Sequence, residues 1–411
     1  MSTPRVLGVA ITPPSFKASG GVSAGIQLMK RVAERVPTEM LVMAEADETS
    51  TDGALTMHRI AATNIFGKAP LRGIPRGIHT LMWRADFGRW LDRIKPDLIH
   101  IHNPHPPGAF ALLGREADRR GIPYVISTHG YVEFEDYAKA FGAAAWQRPI
   151  IDRLVRQPLV KVSQGAARIA MLSPEEAPLM ARLGIAADRL DVVTNGVDPW
   201  FADPLPQAEC DALLARFNID RSKPLIFFVG NHTPNKGIDT LLGAAMAMRE
   251  PASIVIGGGI RSAGEHAAML AEAGYDPESG RVIFTDFLSR EELKALYQAC
   301  DIFAFPSRAD TLPLVLIEAM VSRSAVVSTR IGGIPYEVTP DTGILIEPGD
   351  PAALAAALDT LAADPARCRA MAEAGRARAL DIFNWDRSAD RAVALYRDVL
   401  NARAPKHRQA A

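Results

Sequence analysis

The sequence predicts two doubly wound α/β domains, each a mostly parallel sheet covered by helices on both faces. Short apolar runs rich in β-branched residues alternate with longer helical patterns along nearly the whole chain. Runs such as 224–230 are apolar on both faces, as expected for a parallel strand buried between two helix layers. The chain has 411 residues, which is too long for one ordinary domain.

Thirteen strands are predicted, enough for two sheets. They span 5–11, 38–44, 53–60, 97–102, 123–128, 168–173 and 190–194 in the first half, and 224–230, 253–257, 281–285, 301–305, 324–328 and 343–346 in the second. A polar, proline-rich stretch between Asn195 and Pro224 marks the hinge. We therefore expect a first domain over 1–202 and a second over 203–383, with the amphipathic helix within 384–411 returning to the first.

Composition excludes several classes of protein. The net charge of −1 does not favour nucleic acid, and 48% hydrophobic with 23% charged residues is a globular composition. Cys210, Cys300 and Cys368 lie far apart without zinc-site spacing, which indicates a reducing compartment. The N-terminus is interpreted as a strand and not as a signal peptide, and no apolar run approaches bilayer length. The expectation is a cytoplasmic protein, with any membrane contact peripheral.

The strongest motif runs from Phe305 to Met320. A strand ends at Pro306, Asp310 lies in the following loop, and Pro313 stands where a helix is expected to begin. The amides of Leu314 and Val315 would then face an anion at the helix start. Asp310 and Glu318 could face a sugar and a ribose. The plain alternative is a helix N-cap at 310 and a solvated glutamate at 318.

A second motif runs from Phe228 to Leu242. The strand ends at Gly230, Lys236 lies in the loop, and Gly237 opens a helix. A lysine here can neutralise a diphosphate leaving group; the alternative is an ordinary surface lysine.

Glycines and histidines follow strands of the first half. Gly20-Gly21 precedes the first helix, where paired glycines allow close approach to a phosphate. His129 ends a strand and could donate to a sugar hydroxyl, or it could be a structural loop histidine. His100 is expected to be structural, and either role is open for His102. Two histidines alone do not make a metal site.

These motifs resemble the family 4 retaining glycosyltransferases. The resemblance rests on the acid pair at 310 and 318 within Pro-Ser…Pro…Glu-Ala-Met, on Lys236-Gly237, and on His129-Gly130 and the glycine loops at 257–259 and 332–333. It implies the GT-B fold, two Rossmann-like domains facing across a cleft, with a nucleotide-sugar donor and no metal or other cofactor. The implied catalytic residues are Asp310, His129 and Lys236, and the implied donor-binding residues are Gly20, Gly21, Asn231, Lys236, Thr311, Leu312, Leu314, Val315 and Glu318.

Three positions depart from the family pattern. Asp310 replaces the usual glutamate, Asn231 replaces an arginine, and Arg323 stands where the family usually has glycine. The missing arginine removes a cationic donor worth about 1.5–3 kcal/mol in a charged hydrogen bond. The candidates to replace it are His232, Arg261 and Arg330.

The expected reaction moves a hexose from a UDP- or GDP-sugar to a glycan or lipid-linked acceptor in cell-envelope or exopolysaccharide assembly. A GT-B nucleotide-sugar epimerase and a non-catalytic nucleotide-sugar-binding protein are the alternatives. A nicotinamide-dependent oxidoreductase is disfavoured because no GxGxxG follows the first strand.

Two basic stretches with interleaved aromatic residues, 59–95 and 139–168, fit either peripheral docking on the inner face of the cell membrane or solvated faces over core aromatics.

Overall fold

The structure is a computed structural model that describes residues 3–14, 20–64, 67, 82–131, 149, 152–259, 263–276 and 280–403. It divides into two compact units. Unit 1 comprises 1–195 and 385–411, and unit 2 comprises 196–384. The first boundary, at 195/196, lies seven residues before the expected 202/203, and the second, at 384/385, lies one residue after the expected 383/384. The acceptor and donor roles of the two units stay predictions.

The sheet of unit 1 is mostly parallel and carries nine strands among the described residues. They are β1 (Val6–Ala10), β2 (Thr38–Ala44), β3 (Glu48–Asp52), β4 (Leu55–Asn64), β5 (Trp83–Ala85), β6 (Leu98–Ile101), β7 (Tyr124–Ser127), β8 (Arg168–Met171) and β9 (Leu190–Val192). Their order is β3-β4-β2-β1-β6-β7-β8-β9, and β5 also pairs with β4. β3 and β5 are antiparallel to β4, so the sheet is mixed at one edge.

Helices cover this sheet, and apolar side chains from both layers form its core. Those of unit 1 are α1 (Gly20–Ala33), α2 (Phe87–Ile94), α3 (Pro107–Arg119), α4 (Gln157–Gly165), α5 (Ala177–Arg182) and α14 (Trp385–Arg403). The last helix packs on α1. Burial of its apolar stripe explains why a distant C-terminal segment belongs to the first unit.

The sheet of unit 2 is entirely parallel over its described residues. Its strands are β10 (Leu225–Val229), β11 (Ser253–Gly257), β12 (Val282–Phe284), β13 (Ile302–Phe305), β14 (Ala325–Thr329) and β15 (Gly343–Ile346). Its helices are α6 (Gln207–Leu214), α7 (Ile238–Ala247), α8 (Ala263–Glu272), α9 (Arg290–Ala299), α10 (Leu314–Val321), α11 (Ile334–Glu337), α12 (Pro351–Ala363) and α13 (Pro365–Ile382). The order β12-β11-β10-β13-β14-β15 is that of a Rossmann fold.

Every predicted strand is present, which confirms the doubly wound α/β fold class. β3 and β5 were missed. β3 is exposed except at half-buried Ser50 and has no apolar alternation, although Asp52-Gly53 is a hairpin signal. β5 has three residues, too few for a periodic pattern.

The aromatic residues of the basic stretch 59–95 that the structure describes are part of the core of unit 1. Trp83, Phe87 and Trp90 lie in the core of unit 1, and the guanidinium groups of Arg89 and Arg93 lie over the Trp90 ring. These three aromatic side chains are therefore not surface anchors. Trp146 of the second stretch, together with Lys139 and Arg148, lies outside the described residues. Over the described part of the chain, no helix has both the length and the apolar character to cross a bilayer.

Candidate active site

The chain of unit 2 reverses its direction of winding between β10 and β13. From β10 it proceeds outward to β11 and β12, then crosses to β13 on the other side and continues to β14 and β15. In open parallel sheets, ligands bind outside the carboxyl ends of the strands at such a reversal. The loops that follow the two adjacent strands are 230–237 and 306–313, and these carry Lys236 and Asp310.

Lys236 and Asp310 form an ion pair at this point. The Nζ atom of Lys236 donates to both carboxylate oxygens of Asp310, each at 2.8 Å. The hydroxyl of Ser307 donates to Oδ2 of Asp310 at 2.5 Å. An ammonium has three N–H donors, so one remains for a further acceptor such as a phosphate oxygen. The sequence predicted both residues in the site but not their pairing.

Asp310 is not a helix cap. Helix α10 begins at Leu314, its N-cap is Pro313, and no side chain caps it. The proline therefore precedes the helix by one residue and does not occupy its first turn, which corrects the expectation. The amides of Leu314 and Val315 lie in the first turn, where a helix offers them no internal acceptor. Thr311 and Leu312 are buried in the loop before it.

Arg308 joins the loops after β10 and β13. Its backbone N–H donates to the Asn235 carbonyl at 2.7 Å, and its guanidinium donates to the Pro234 carbonyl at 2.9 Å and pairs with Asp239. Gly237 allows this close approach, since its φ is +68° and an added Cβ would lie 1.9 Å from the Pro306 carbonyl oxygen. The lysine loop is thereby fixed against the aspartate loop.

The loop after β14 supports Asp310 from another side. Gly332 has a φ of +48°, and a Cβ there would lie 2.0 Å from the Asp310 carbonyl oxygen. The amide of Gly333 donates to the Thr311 carbonyl at 2.6 Å. This amide is therefore used within the protein.

Glu318 lies in a half-buried position on α10 and is not a freely solvated helix residue. Burial raises the pKa of its carboxyl to about 7, against a lowering contribution from the Tyr297 hydroxyl, which donates to Oε2 at 3.0 Å. Nearby Asp198 raises this pKa further and Arg290 lowers it. The second carboxyl oxygen has no such partner among the described contacts.

Glu337 is a site residue that the sequence did not indicate. It is fully buried, and neither carboxyl oxygen has a hydrogen-bond partner in the described structure. Burial raises its pKa well above the ordinary value, and the charge of Asp310 raises it further. Both effects disfavour the ionised form of Glu337, since an ionised carboxyl buried without a partner costs several kcal/mol. The preceding glycine loop was the only signal in the sequence.

The structure reduces the number of residues that could replace the arginine missing at position 231. His232 is buried beside His266, and burial lowers its pKa to about 4, so it carries no charge at neutral pH. The proposal that it supplies a cation is therefore wrong. Arg330 is exposed, with Nε 3.5 Å from Glu347. Arg261 lies outside the described residues.

Unit 1 has its own reversal, between β1 and β6, and histidines lie in its strands or just after them. His100 is structural, because its ring nitrogens lie 2.6 Å from the Tyr396 hydroxyl and 2.8 Å from the Ser127 hydroxyl. His102 is fully buried, and neither ring nitrogen has a hydrogen-bond partner in the described structure. Across the described residues, no three potential ligand side chains are grouped around a metal position.

His129 and Gly21 are packed together in unit 1. A Cβ at Gly21 would lie 2.9 Å from the Cβ of His129, whereas a Cβ at Gly20 would meet nothing within 4 Å. Burial lowers the pKa of His129 to about 4, so its ring is neutral at neutral pH. A neutral imidazole can donate one hydrogen bond and accept another. The structure brings these two predicted residues together.

Known proteins match both halves of the chain. Residues 20–201 match the family Glycosyltransferase Family 4, and residues 211–378 match Glycosyl transferases group 1. A 2-deoxystreptamine glucosyltransferase from Streptomyces kanamyceticus is 32% identical over 74% of this chain and 78% of its own length. A D-inositol 3-phosphate glycosyltransferase from Thermomonospora curvata is 31% identical over 75% of this chain and 76% of its own.

Solved structures share the fold over nearly the full length. A sucrose-phosphate synthase from Thermosynechococcus elongatus has a TM-score of 0.75 at 22% identity, covering 97% of this chain and 100% of that one. Anabaena HepE in complex with UDP-glucose has a TM-score of 0.71 at 18% identity, covering 96% and 99%. At such identities the likeness establishes the fold. Together with the two matched families, it shows that the chain belongs to the glycosyltransferases of the GT-B fold, which act on nucleotide sugars.

Proposed function

We propose that this glycosyltransferase moves a hexose from a UDP- or GDP-sugar to an acceptor hydroxyl and retains the configuration at the anomeric carbon. The observation that carries the proposal is the Lys236–Asp310 pair at the β10/β13 reversal, with Glu318 on the helix that follows. One relative is a glucosyltransferase, and a protein of the same fold is solved with UDP-glucose. Both support a hexose donor.

In this proposal, the positively charged groups of unit 2 bind the diphosphate and its two acids bind the ribose and the hexose. The remaining N–H of Lys236 and the first amides of α10 offer positive potential to a diphosphate. Half-buried Glu318 offers a carboxyl oxygen to the ribose hydroxyls, and Asp310 offers its carboxylate to the hexose. Lys236 would then lie between Asp310 and the phosphate, and neutralise charge as it develops on the leaving group.

Retention follows if the acceptor attacks from the side that the diphosphate leaves. The bond between the anomeric carbon and the phosphate oxygen breaks, and the acceptor oxygen bonds to the same face of that carbon. The acceptor proton passes to the departing phosphate oxygen. This course requires no covalent intermediate on the protein, and Lys236 stabilises the transition state by electrostatics.

We further propose that the acceptor is a glycan or lipid-linked saccharide of cell-envelope or exopolysaccharide assembly and that unit 1 binds it. His129 would donate a hydrogen bond to a hydroxyl of the donor sugar. One structure of this fold, WaaG, is described as involved in lipopolysaccharide biosynthesis. His129 is placed at the carboxyl edge of its sheet, where ligands of parallel sheets bind. Gly20 and Gly21 are the proposed phosphate contacts of this unit.

The test uses the full chain with UDP-, GDP- and ADP-glucose and a panel of saccharide and lipid-linked acceptors. We expect transfer with one base preferred and, by NMR, an axial linkage from an axial donor. Asp310→Asn, Lys236→Ala and Glu318→Ala should each lose at least 100-fold in kcat/KM. Lys223→Ala is the matched control, since this exposed lysine pairs with Asp220 away from the site.

Three results would contradict the proposal. An inverted product would overturn retention. Interconversion of the donor sugar without acceptor would identify an epimerase. Nucleotide-sugar binding without turnover over the whole panel would identify a binding protein.

A further inference from the structure

Trp200 lies where the chain enters unit 2, and its ring contacts two cations of helix α9. The chain makes one turn of 3₁₀ helix over Pro199–Phe201, which Asp198 caps by accepting from the Trp200 N–H at 3.0 Å. Cζ of Arg290 lies 4.4 Å and Nζ of Lys294 lies 4.3 Å from the centre of the Trp200 ring. The two cationic residues are four positions apart, so they lie on the same face of α9.

Lys294 depends on this ring. The residue is only 3% exposed, and within the described part of the chain its ammonium pairs with no carboxylate. A buried ammonium needs a compensating partner, and the attraction of an aromatic face for a cation grows when water is excluded. Arg290 has a second partner, because its guanidinium also pairs with Asp198. Trp200 and Asp198 thus hold the first half of α9 by two kinds of contact.

The next residue of the chain reaches the proposed ribose-binding acid through one ring. Phe201 packs edge-on against Tyr297 of α9, with ring centres 5.7 Å apart, and both residues are buried. The Tyr297 hydroxyl donates to Oε2 of Glu318 at 3.0 Å. In a close-packed interior, displacement of one ring displaces its neighbours. The direction of the Tyr297 hydroxyl therefore depends on where the segment that contains Phe201 is held.

Charge gives a second connection from this segment to Glu318. Burial raises the pKa of the Glu318 carboxyl most, the Tyr297 hydroxyl lowers it, Asp198 raises it and Arg290 lowers it. Asp198 and Arg290 are paired with each other. Removal of either one would leave the charge of the other uncompensated near Glu318.

We propose that Trp200 is a positioning residue of the donor site. Bound to the cations of Arg290 and Lys294, its ring fixes helix α9. That helix in turn presents the Tyr297 hydroxyl to Glu318. Trp200 acts through α9 and not by contact with the substrate. The inference rests on the proposed function, because it takes Glu318 as the acid that binds the ribose.

The test is calorimetric titration of the full chain with UDP, GDP and ADP at pH 8, and with pyrophosphate as the probe that lacks a ribose. Substitutions that act through a chain of contacts change a coupled affinity by about 0.5–2 kcal/mol. We therefore expect Trp200→Leu to weaken nucleotide binding about 3- to 30-fold. Pyrophosphate binding should change less than 2-fold. Trp200→Phe, which keeps an aromatic face for the cations, should bind nucleotides within about 2-fold of the wild type.

The matched control is Phe217→Leu. Phe217 is a half-buried aromatic residue of unit 2 whose ring lies 4.6 Å from Cζ of Arg216. The substitution removes a ring from beneath a cation, as Trp200→Leu does, and it should leave nucleotide binding unchanged.

The pH dependence of nucleotide binding tests the electrostatic connection. Asp198 raises the pKa of Glu318 and Arg290 lowers it, so Asp198→Asn should move the midpoint of the binding profile to lower pH and Arg290→Gln to higher pH. A role in folding alone would lower the melting temperatures of these variants and leave both midpoints in place.

The outcomes separate this inference from the proposed function. Nucleotide binding by Trp200→Leu as tight as that of the wild type would overturn the positioning role and leave the transferase intact. Equal losses of nucleotide and pyrophosphate would also overturn it, because the substitution would then act on the phosphate site. A loss by Trp200→Phe as large as that of Trp200→Leu would show that cation binding by the ring is not the cause. If the wild type binds none of the three nucleotides, both proposals fail.

Discussion

Asp310 and Glu318 carry the same functional group in different surroundings, and this divides their roles. Asp310 forms a hydrogen-bonded ion pair with Lys236, whereas Glu318 is half-buried beside the Tyr297 hydroxyl. The shorter aspartate, which replaces the family's usual glutamate, reaches the lysine directly. The donor sugar would therefore meet a salt bridge and not a free carboxylate.

Binding of a nucleotide sugar should depend on the ionisation of Glu318, whose pKa is raised to about 7, chiefly by burial. An ionised carboxyl makes stronger hydrogen bonds with ribose hydroxyls than a neutral one. We expect affinity for the preferred nucleotide sugar to rise between about pH 6 and pH 8, and Glu318→Gln to bind weakly with a flat profile. Calorimetry across this range measures both, and a wild-type profile as flat as the variant's would contradict the assignment.

The raised pKa of Glu318 has the opposite effect on the free energy of unfolding, which falls as pH rises. The folded-state pKa of Glu318 lies above its unfolded value, so its contribution to the free energy of unfolding is largest below about pH 4.5. That contribution is lost as pH rises towards 7. Denaturant unfolding of wild type and Glu318→Gln should therefore show a difference that moves in favour of the variant over this window.

Arg323 stands where the family usually has glycine, and the backbone shows why glycine is favoured there. It follows the C-terminus of α10 with a φ of +69°, a left-handed conformation that favours glycine. Its side chain pairs with Glu373 at 2.9 Å, but both are exposed, so the pair contributes little.

Arg323→Gly should stabilise the protein by about 0.5–1 kcal/mol, because it relieves a strain of roughly 1–2 kcal/mol for a residue with a Cβ. Chemical denaturation would measure this. Arg323→Ala, which loses the same ion pair but keeps the Cβ, should not gain stability. Equal stability changes for Arg323→Gly and Arg323→Ala would show that the ion pair, and not the backbone strain, determines the change in stability.

At the scale of single residues, local motifs placed Asp310, Lys236 and Glu318 in one region, because each motif couples a strand end to a helix start. They could not show that Lys236 pairs with Asp310, or that Glu337 is buried behind them. Those contacts join segments distant in sequence, and only the packing of three loops determines them.

Loops at the carboxyl ends of the strands form the next scale. Glycine at 237 and at 332 is required by carbonyl oxygens that would lie 1.9 Å and 2.0 Å from a Cβ. These positions were recognisable in the sequence as glycines after strands. Arg308 was not, because its role in joining two loops depends on Asp239 in α7. β3 and β5 were missed for a different reason: β3 has no apolar alternation and β5 has only three residues, so neither shows a periodic pattern.

The start of α1 offers a matched pair of substitutions. Gly20→Ala meets no neighbour within 4 Å, while Gly21→Ala would press on His129. We expect Gly20→Ala to keep or raise the melting temperature, since alanine favours a helix, and to raise KM for the donor by blocking the phosphate. Gly21→Ala should lower both stability and kcat. Normal kinetics for Gly20→Ala would show that no ligand approaches this backbone.

At the scale of the whole chain, unit 1 is made of two distant segments joined through α14. The Tyr396 hydroxyl lies 2.6 Å from Nδ1 of buried His100, and Arg35, just after α1, pairs with Asp390 at 2.5 Å. The two-domain α/β organisation was predictable because its strands alternate with helices throughout. The contact between His100 and Tyr396 was not, because 296 positions separate them.

Tyr396→Phe should destabilise the chain by about 1–3 kcal/mol, since it leaves a buried imidazole nitrogen without a partner. Asp390→Ala on the same helix is the control and should cost less than about 1 kcal/mol, because its ion pair is exposed. Denaturant unfolding followed by circular dichroism compares them. Equal costs would mean that α14 is held by its surface charges and not through the core.

The return of α14 has a consequence during synthesis. A ribosome that adds about 5–20 residues per second needs roughly 10–40 s to pass from Asn195 to Trp385. Throughout that interval, while unit 2 is being made, the sheet of unit 1 lacks the helix that covers α1 and bonds to His100. The first-made unit is thus the last to be completed. A premature stop anywhere between these residues would release a chain with an open core in unit 1, a natural target for chaperones and proteases.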